Sequence, residues 1–168
     1  MLSSVDPRIR SFRFNLIRLY VTCLGIGHLP VAPGTWASLA AVVFWALLIK
    51  AGLSMLLISS LLLLFFIFGI WGSRLYEKET KSEDSSEIVI DEWVGMGIAL
   101  LLTQNNIWLI IAAFVLFRFF DITKPPGVRY FDKNYMEGWG VMLDDVVAGV
   151  YACLLIGIYH WFSPVLSF

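Results

Sequence analysis

Cysteine, histidine and charge are all scarce in this chain, and each scarcity removes a class of function. There are 2 Cys and 2 His among 168 residues. Cys23 and Cys153 sit in apolar surroundings without paired spacing, so neither a disulfide framework nor a zinc knuckle is expected. Both read as small buried hydrophobes. Six positions after each stands Leu29 or Tyr159, not the Arg that a cysteine-phosphatase loop requires. No His–Asp arrangement suggests a phosphohistidine intermediate. Charged residues make up 15% and apolar residues 59%, against about 25% and roughly 45–50% in an ordinary soluble domain. With 13 Phe and 7 Trp pushing the same way, the chain reads as an integral membrane protein. A nucleic-acid partner is not expected. No internal repeat or low-complexity tract is present. The basic N-terminus lacks a clean apolar core followed by a small-residue cleavage site, so no cleaved signal peptide is expected. The length suits one domain, residues 1–168.

What is present predicts an all-α, polytopic membrane helix bundle. About five helices cross or are embedded in the bilayer, preceded by an amphipathic helix on its surface. Residues 8–24 carry Arg8, Arg10, Arg13 and Arg18 beside Phe12, Leu16, Leu19 and Cys23 at helical spacing, which fits a basic helix lying on anionic lipid. A proline-broken loop, Gly25 to Thr35, follows, and Thr35 or Ser38 is expected to cap a first apolar helix running to about Ile49. Lys50-Ala51-Gly52 reads as a tight turn. Leu53 to Trp71 is free of charge and long enough to span hydrocarbon, and its helix is expected to continue outward through the charge run that follows. That run reads as a solvated helix end without a catalytic role. Further helices are expected from about Ile88 to Leu102, Ile107 to Phe120 and Leu143 to Phe162, with a turn at Gln104-Asn105-Asn106.

Five crossings with a cytoplasmic N-terminus would place residues 1–35, 74–92 and 118–145 on one side. Those pieces contain every Lys and Arg except Lys50, and every Asp and Glu. The positive-inside rule makes that side cytoplasmic.

Three groups of acids on that face invite a functional reading: Asp91-Glu92, Asp121 and Asp144-Asp145. Either doublet alone reads as a helix cap, because acids in a first turn meet the positive end of the helix dipole. Asp121, at a helix C-terminus, needs a nearby cation, which Arg118, Lys124 or a metal can provide. The Pro- and Gly-punctuated stretch from Phe117 to Asp145 reads as a polar loop at the centre of the site. Ionised acids near lipid are costly unless paired or metal-bound. Hard oxygen ligands favour Mg²⁺, and a Mg²⁺ cluster beside Arg118 and Lys124 suits a phosphate ester. Gly34 before Thr35 can present backbone N–H groups to phosphate. Gly138 and Gly140 either approach a substrate or form a turn. His28 reads as a surface or interface residue, and His160 lies far from the site.

Four stretches then resemble a known family: GIGHLPVAPGTWASL (25–39), IDEWVGM (90–96), FRFFDITKP (117–125) and GWGVMLDDVVAG (138–149) are similar to bacterial phosphatidylglycerophosphatase A. The resemblance spans nearly the whole chain. It implies a Mg²⁺-dependent inner-membrane enzyme converting phosphatidylglycerophosphate to phosphatidylglycerol on the cytoplasmic face. Carried over residue by residue, the motif acids are Asp91, Glu92, Asp121, Asp144 and Asp145, the cations Arg118 and Lys124, and the Gly-Thr pair Gly34 and Thr35. The expected metal set is Glu92, Asp121, Asp144 and Asp145, with Asp91 as ligand or general base. Two positions depart from the family pattern: Ala37 precedes Ser38 in place of Gly, and Gly127 follows Lys124-Pro125-Pro126 where a further Pro is usual. A phospholipid-forming transferase is the competing enzyme class, but its Asp-Gly…Ala-Arg…Gly…Asp…Asp run is missing. A small transporter or scaffold is the non-enzymatic alternative, and it would carry charge in mid-membrane.

Overall fold

Apolar runs at helical spacing, broken by Pro, Gly and Asn, fold into seven α-helices among the described residues of the computed structural model. It describes residues 7–82, 85–134 and 138–166, with side chains described for 11–82, 85–131 and 138–162. The helices are α1 (Pro7–Val21), α2 (Pro33–Lys50), α3 (Met55–Thr80), α4 (Ile90–Leu100), α5 (Ile107–Thr123), α6 (Pro126–Asn134) and α7 (Gly138–Leu166). No strand occurs among the described residues. The expected turns are present. Gly52 takes φ 80° after α2, and Ser54 caps α3 by accepting the Leu57 N–H at 3.3 Å. Asn106 accepts the Trp108 and Leu109 N–H groups at 2.9 and 3.4 Å to open α5.

The short helix α4 forms the centre of the bundle. Ile90, Val94, Gly95, Met96, Gly97, Ala99 and Leu100 are all buried, packed on α2, α3, α5 and α7. Between α4 and α7 the backbones touch. A Cβ on Gly149 would run into the Gly95 carbonyl, and one on Gly95 would come within 2.6 Å of the Asp145 carbonyl oxygen. In lipid, where apolar burial drives little association, close approach of this kind supplies the attraction. Trp45 Nε1 donates to the Trp93 carbonyl at 2.9 Å and ties α2 to α4.

Three helices, α2, α3 and α7, have the length and hydropathy to cross a membrane. They leave Val43, Leu47, Leu64, Phe68, Leu154 and Ile158 exposed on their outer faces, an apolar belt too extensive for water. At 11 residues, α4 is only about 16 Å long, well short of roughly 30 Å of hydrocarbon. On α1, Phe14 and Tyr20 pack on α3, through a Phe14–Tyr76 stack and a 3.0 Å hydrogen bond from Tyr20 to the Phe65 carbonyl. Phe12, Leu16 and Leu19 remain exposed.

Three expectations are corrected. The cap of α2 is neither Thr35 nor Ser38; the helix starts from Ala32, with Pro33 in its first turn. Proline's fixed φ and missing N–H suit that position. Ser38 lies inside the helix and donates to the Gly34 carbonyl at 2.8 Å. The stretch from Phe117 to Asp145 is largely helical rather than a loop, because α5 continues to Thr123 and Pro126 opens α6; residues 135–137 lie outside the described residues. Finally, α7 begins at Gly138, not near Leu143, so Asp144 and Asp145 stand in its second turn rather than at its start. Gly138 seats the start of α7 directly on α3. A Cβ there would overlap the Ile70 carbonyl and lie 3.0 Å from the Arg74 nitrogen. That packing outweighs the weak helix propensity of Gly-Trp-Gly.

Candidate active site

Parts of five helices enclose a polar cleft of about 1060 Å³. The first turn of α4 brings Asp91 and Glu92, and the second turn of α7 brings Asp144 and Asp145. Arg118 and Asp121 come from the end of α5, with Lys124 as its left-handed C-cap at φ 43°. Ala32, Pro33 and Gly34 of α2 close one side. All five motif acids and both motif cations meet here, although they are up to 54 positions apart (91 to 145).

Within the cleft the acids divide by partner. Asp91, Glu92 and Asp145 each offer an oxygen within 4.8 Å of the others. Asp145 is only 3% exposed, and Asp121 abuts it. Glu92 Oε2 and Asp145 Oδ2 are buried without a donor, a costly state for anionic oxygens. Burial first, then the Glu92 carboxylate, pushes the Asp91 carboxyl well above its ordinary range. Glu92 is also raised, by burial and then by Asp121, against the opposing pull of Asp91 and Arg118. Converging oxygen atoms that lack donors suit a hard divalent cation.

Asp121 and Asp144 hold cations. Arg118 Nη1 lies 2.8 Å from Asp121 Oδ2 and 3.9 Å from Glu92 Oε1, and it also donates to Ser38 Oγ at 3.4 Å. One guanidinium thus joins α2, α4 and α5. Lys124 Nζ lies 3.1 Å from Asp144 Oδ2, joining α5 to α7.

Gly34 lines the cleft, but Thr35 does not, and its N–H is bonded to the Ala32 carbonyl at 3.0 Å. Gly140 lines the cleft, whereas Gly138 serves helix packing. His28 stands outside the cleft, 3.6 Å from Glu87. His160 meets the Leu102 carbonyl at 2.8 Å, near the far end of α7. Both cysteines are free. In the position where Gly127 departs from the family pattern, a Cβ would strike the Tyr151 hydroxyl, so the departure accompanies close packing of α6 on α7. The charge run after Trp71 is not merely solvated: Arg74, Lys78 and Lys81 line the same cleft. Their spacing of four and three on a continuing helix was the available signal.

Carboxylates and cations gathered in one cleft of an apolar helix bundle define a membrane enzyme of phosphate chemistry. The chain belongs to the phosphatidylglycerophosphatase A family, whose sequence profile matches residues 19–160. It is 40% identical to phosphatidylglycerophosphatase A of Haemophilus influenzae, over 93% of this chain and 96% of the relative. The Escherichia coli protein of the same name is 38% identical, over 91% of this chain and 90% of its own length. A Bacteroides thetaiotaomicron protein, provisionally named a phosphatidylinositol-3-phosphatase, is 44% identical over 83% of this chain and 91% of its own length. No solved structure gives a significant match. The family is one of phosphatases, and the chain is an enzyme of that class.

Proposed function

We propose that the chain hydrolyses the terminal phosphate monoester of phosphatidylglycerophosphate, giving phosphatidylglycerol and inorganic phosphate in phospholipid synthesis. The observation that carries this reading is the convergence of Asp91, Glu92 and Asp145 beside Arg118 and Lys124, in a chain matching two relatives named for this reaction. Asp91, Glu92 and Asp145 would hold Mg²⁺, an oxygen-only set that fits a hard cation. Bound there, the ion would supply charge to neutralise phosphate oxygens and would make a bound water a better nucleophile. This set keeps Glu92 and Asp145 from the sequence-based ligands and takes Asp91 in the first of its two expected roles, ligand rather than general base. Asp121 and Asp144 instead hold Arg118 and Lys124 in place, where both cations face the phosphate oxygens. Gly34 leaves the space in which the Glu92 carboxylate sits.

We place α2, α3 and α7 across a bacterial inner membrane, with α4 and α5 embedded beside them and α1 on the surface. The exposed Phe12, Leu16 and Leu19 support the surface position of α1. Lys50 ends α2 away from the cleft while Arg74, Lys78, Lys81, Arg118 and Lys124 line it, which supports a cytoplasmic site. Short α4 then brings Asp91 and Glu92 level with the headgroups, where a lipid enters sideways. Spin labels at residues 90–92 lying well above the headgroups in water would refute that placement.

The test of function is a substrate panel with Mg²⁺: phosphatidylglycerophosphate, phosphatidylinositol 3-phosphate and phosphatidate. A kcat/KM for the first at least about tenfold above the others is expected. Preference for the inositol lipid, the second reading favoured by the Bacteroides relative, would overturn the choice of substrate.

A further inference from the structure

Arg74, Lys78 and Lys81, from α3 and its C-cap, line the same cleft as Arg118 and Lys124, with Glu77 of α3 among them. The register of the α3 wall is fixed: Gly138 seats α7 on the α3 backbone at Ile70 and Arg74, two turns before Asp145. Charge accounts for the need. With Glu77, the cleft's carboxylates Asp91, Glu92, Asp121, Asp144 and Asp145 outnumber Arg118 and Lys124 by four (six minus two), so one divalent ion leaves an excess of negative charge. An anionic lipid entering such a cleft meets repulsion unless further positive charge is supplied. The α3 residues supply it.

We infer that Arg74, Lys78 and Lys81 form a second phosphate subsite. It binds the phosphodiester linking the diacylglycerol to the headgroup, while Arg118 and Lys124 hold the monoester that is cleaved. This rests on the phosphomonoesterase reading above and deepens it. The substrate class becomes lipids bearing two phosphates separated by a polyol. Phosphatidylglycerophosphate and phosphatidylinositol 3-phosphate both qualify; phosphatidate, with one phosphate, does not. The lysines are set apart from a general attraction to anionic bilayers by recognition of a diester that carries no acyl chain.

Two water-soluble probes separate the subsites: inorganic phosphate, and glycerophosphoglycerol, which carries the diester alone. Inhibition of Mg²⁺-supplied enzyme by each is measured for wild type, Arg74→Gln and Lys78→Gln. Each variant should weaken inhibition by glycerophosphoglycerol about tenfold, as for one lost charge-assisted hydrogen bond. Inhibition by inorganic phosphate should change less than about twofold, which also reports an intact catalytic wall. Equal weakening of both probes would overturn the inference in favour of general electrostatics. No weakening of either would assign these cations to the bilayer surface. Failure of glycerophosphoglycerol to inhibit wild type, at concentrations where phosphate does, would remove the subsite. Should the enzyme release phosphate from none of the lipids, the phosphatase reading fails separately. Calorimetric titration of glycerophosphoglycerol into wild type and Lys78→Gln then still decides the subsite, with equal binding overturning it.

Discussion

Gly34 and Glu92 share one space: a Cβ on Gly34 would overlap Glu92 Oε1 and stand 3.4 Å from Arg118 Nη1. The first turn of α2 is therefore the back wall of the carboxylate group. Gly34→Ala would displace the tip of one flexible side chain, a small cost in stability. It would also move a carboxylate relative to Asp91 and Asp145, and misplacement by about 1 Å costs on the order of 100-fold in rate. The expected result is a kcat/KM about 100-fold lower with a nearly unchanged unfolding midpoint, read by phosphate release and thermal unfolding on the same preparation.

Glu92→Gln removes one negative charge from a group of like charges. The isosteric amide should lower kcat by about 100- to 1,000-fold, in the range for losing one electrostatic contact in a preorganised site. In EDTA the variant should unfold at a higher temperature than wild type, because the mutual repulsion of buried carboxylates is relieved. A lower midpoint in EDTA would show that Glu92 is held chiefly by Arg118.

Burial raises Asp91 and Glu92, so the metal-free folded protein keeps protons that the unfolded chain releases. By linkage, the stability this confers is full below the unfolded carboxyl pKa, about 4, and is lost as pH rises through the folded values. In EDTA the unfolding midpoint should therefore fall as pH is raised from about 5 to 8. Asp91→Asn should reduce that slope. Saturating Mg²⁺, which binds the ionised forms, should oppose it. A wild-type midpoint in EDTA that climbs over this range contradicts the burial of these groups.

Arg118 contacts Asp121, Glu92 and Ser38 through Nη1 alone; holding those partners with one nitrogen while a second nitrogen meets the phosphate needs the planar fork, which Lys lacks. Arg118→Lys should keep the charge yet lose about tenfold or more in kcat/KM. Rescue to the wild-type rate by Lys would mean that charge alone suffices there.

Much of this architecture is legible from periodicity and punctuation. Gly52 and Asn106 act locally, so the turns they make were readable, and the acids and cations of the four motifs do meet in one cleft. Three features were not readable, because partners distant in sequence decide them. Gly-Trp-Gly looks like a turn, yet α3 beneath Gly138 makes it helix. Asp144 and Asp145 look like caps, yet they stand in a second turn, one facing Lys124 and the other Glu92. The run Arg74, Lys78, Lys81 looks like any solvated helix end until residues 37 to 71 positions later (Lys81 to Arg118, Arg74 to Asp145) are folded into the same cleft. Which of five similar acids pairs with a cation and which is left without a donor depends on side-chain distances of a few ångströms, beyond the reach of spacing.

The most direct measurement is phosphate release from phosphatidylglycerophosphate by the purified chain in mild detergent, for wild type and Asp145→Asn side by side. Each is followed with Mg²⁺, then with EDTA, then with Mg²⁺ restored. If Asp91, Glu92 and Asp145 are the hydrolytic centre, wild type releases phosphate with Mg²⁺, stops in EDTA and recovers, while folded Asp145→Asn stays at background throughout. Release that persists in EDTA, or a wild-type rate from Asp145→Asn, would contradict that assignment.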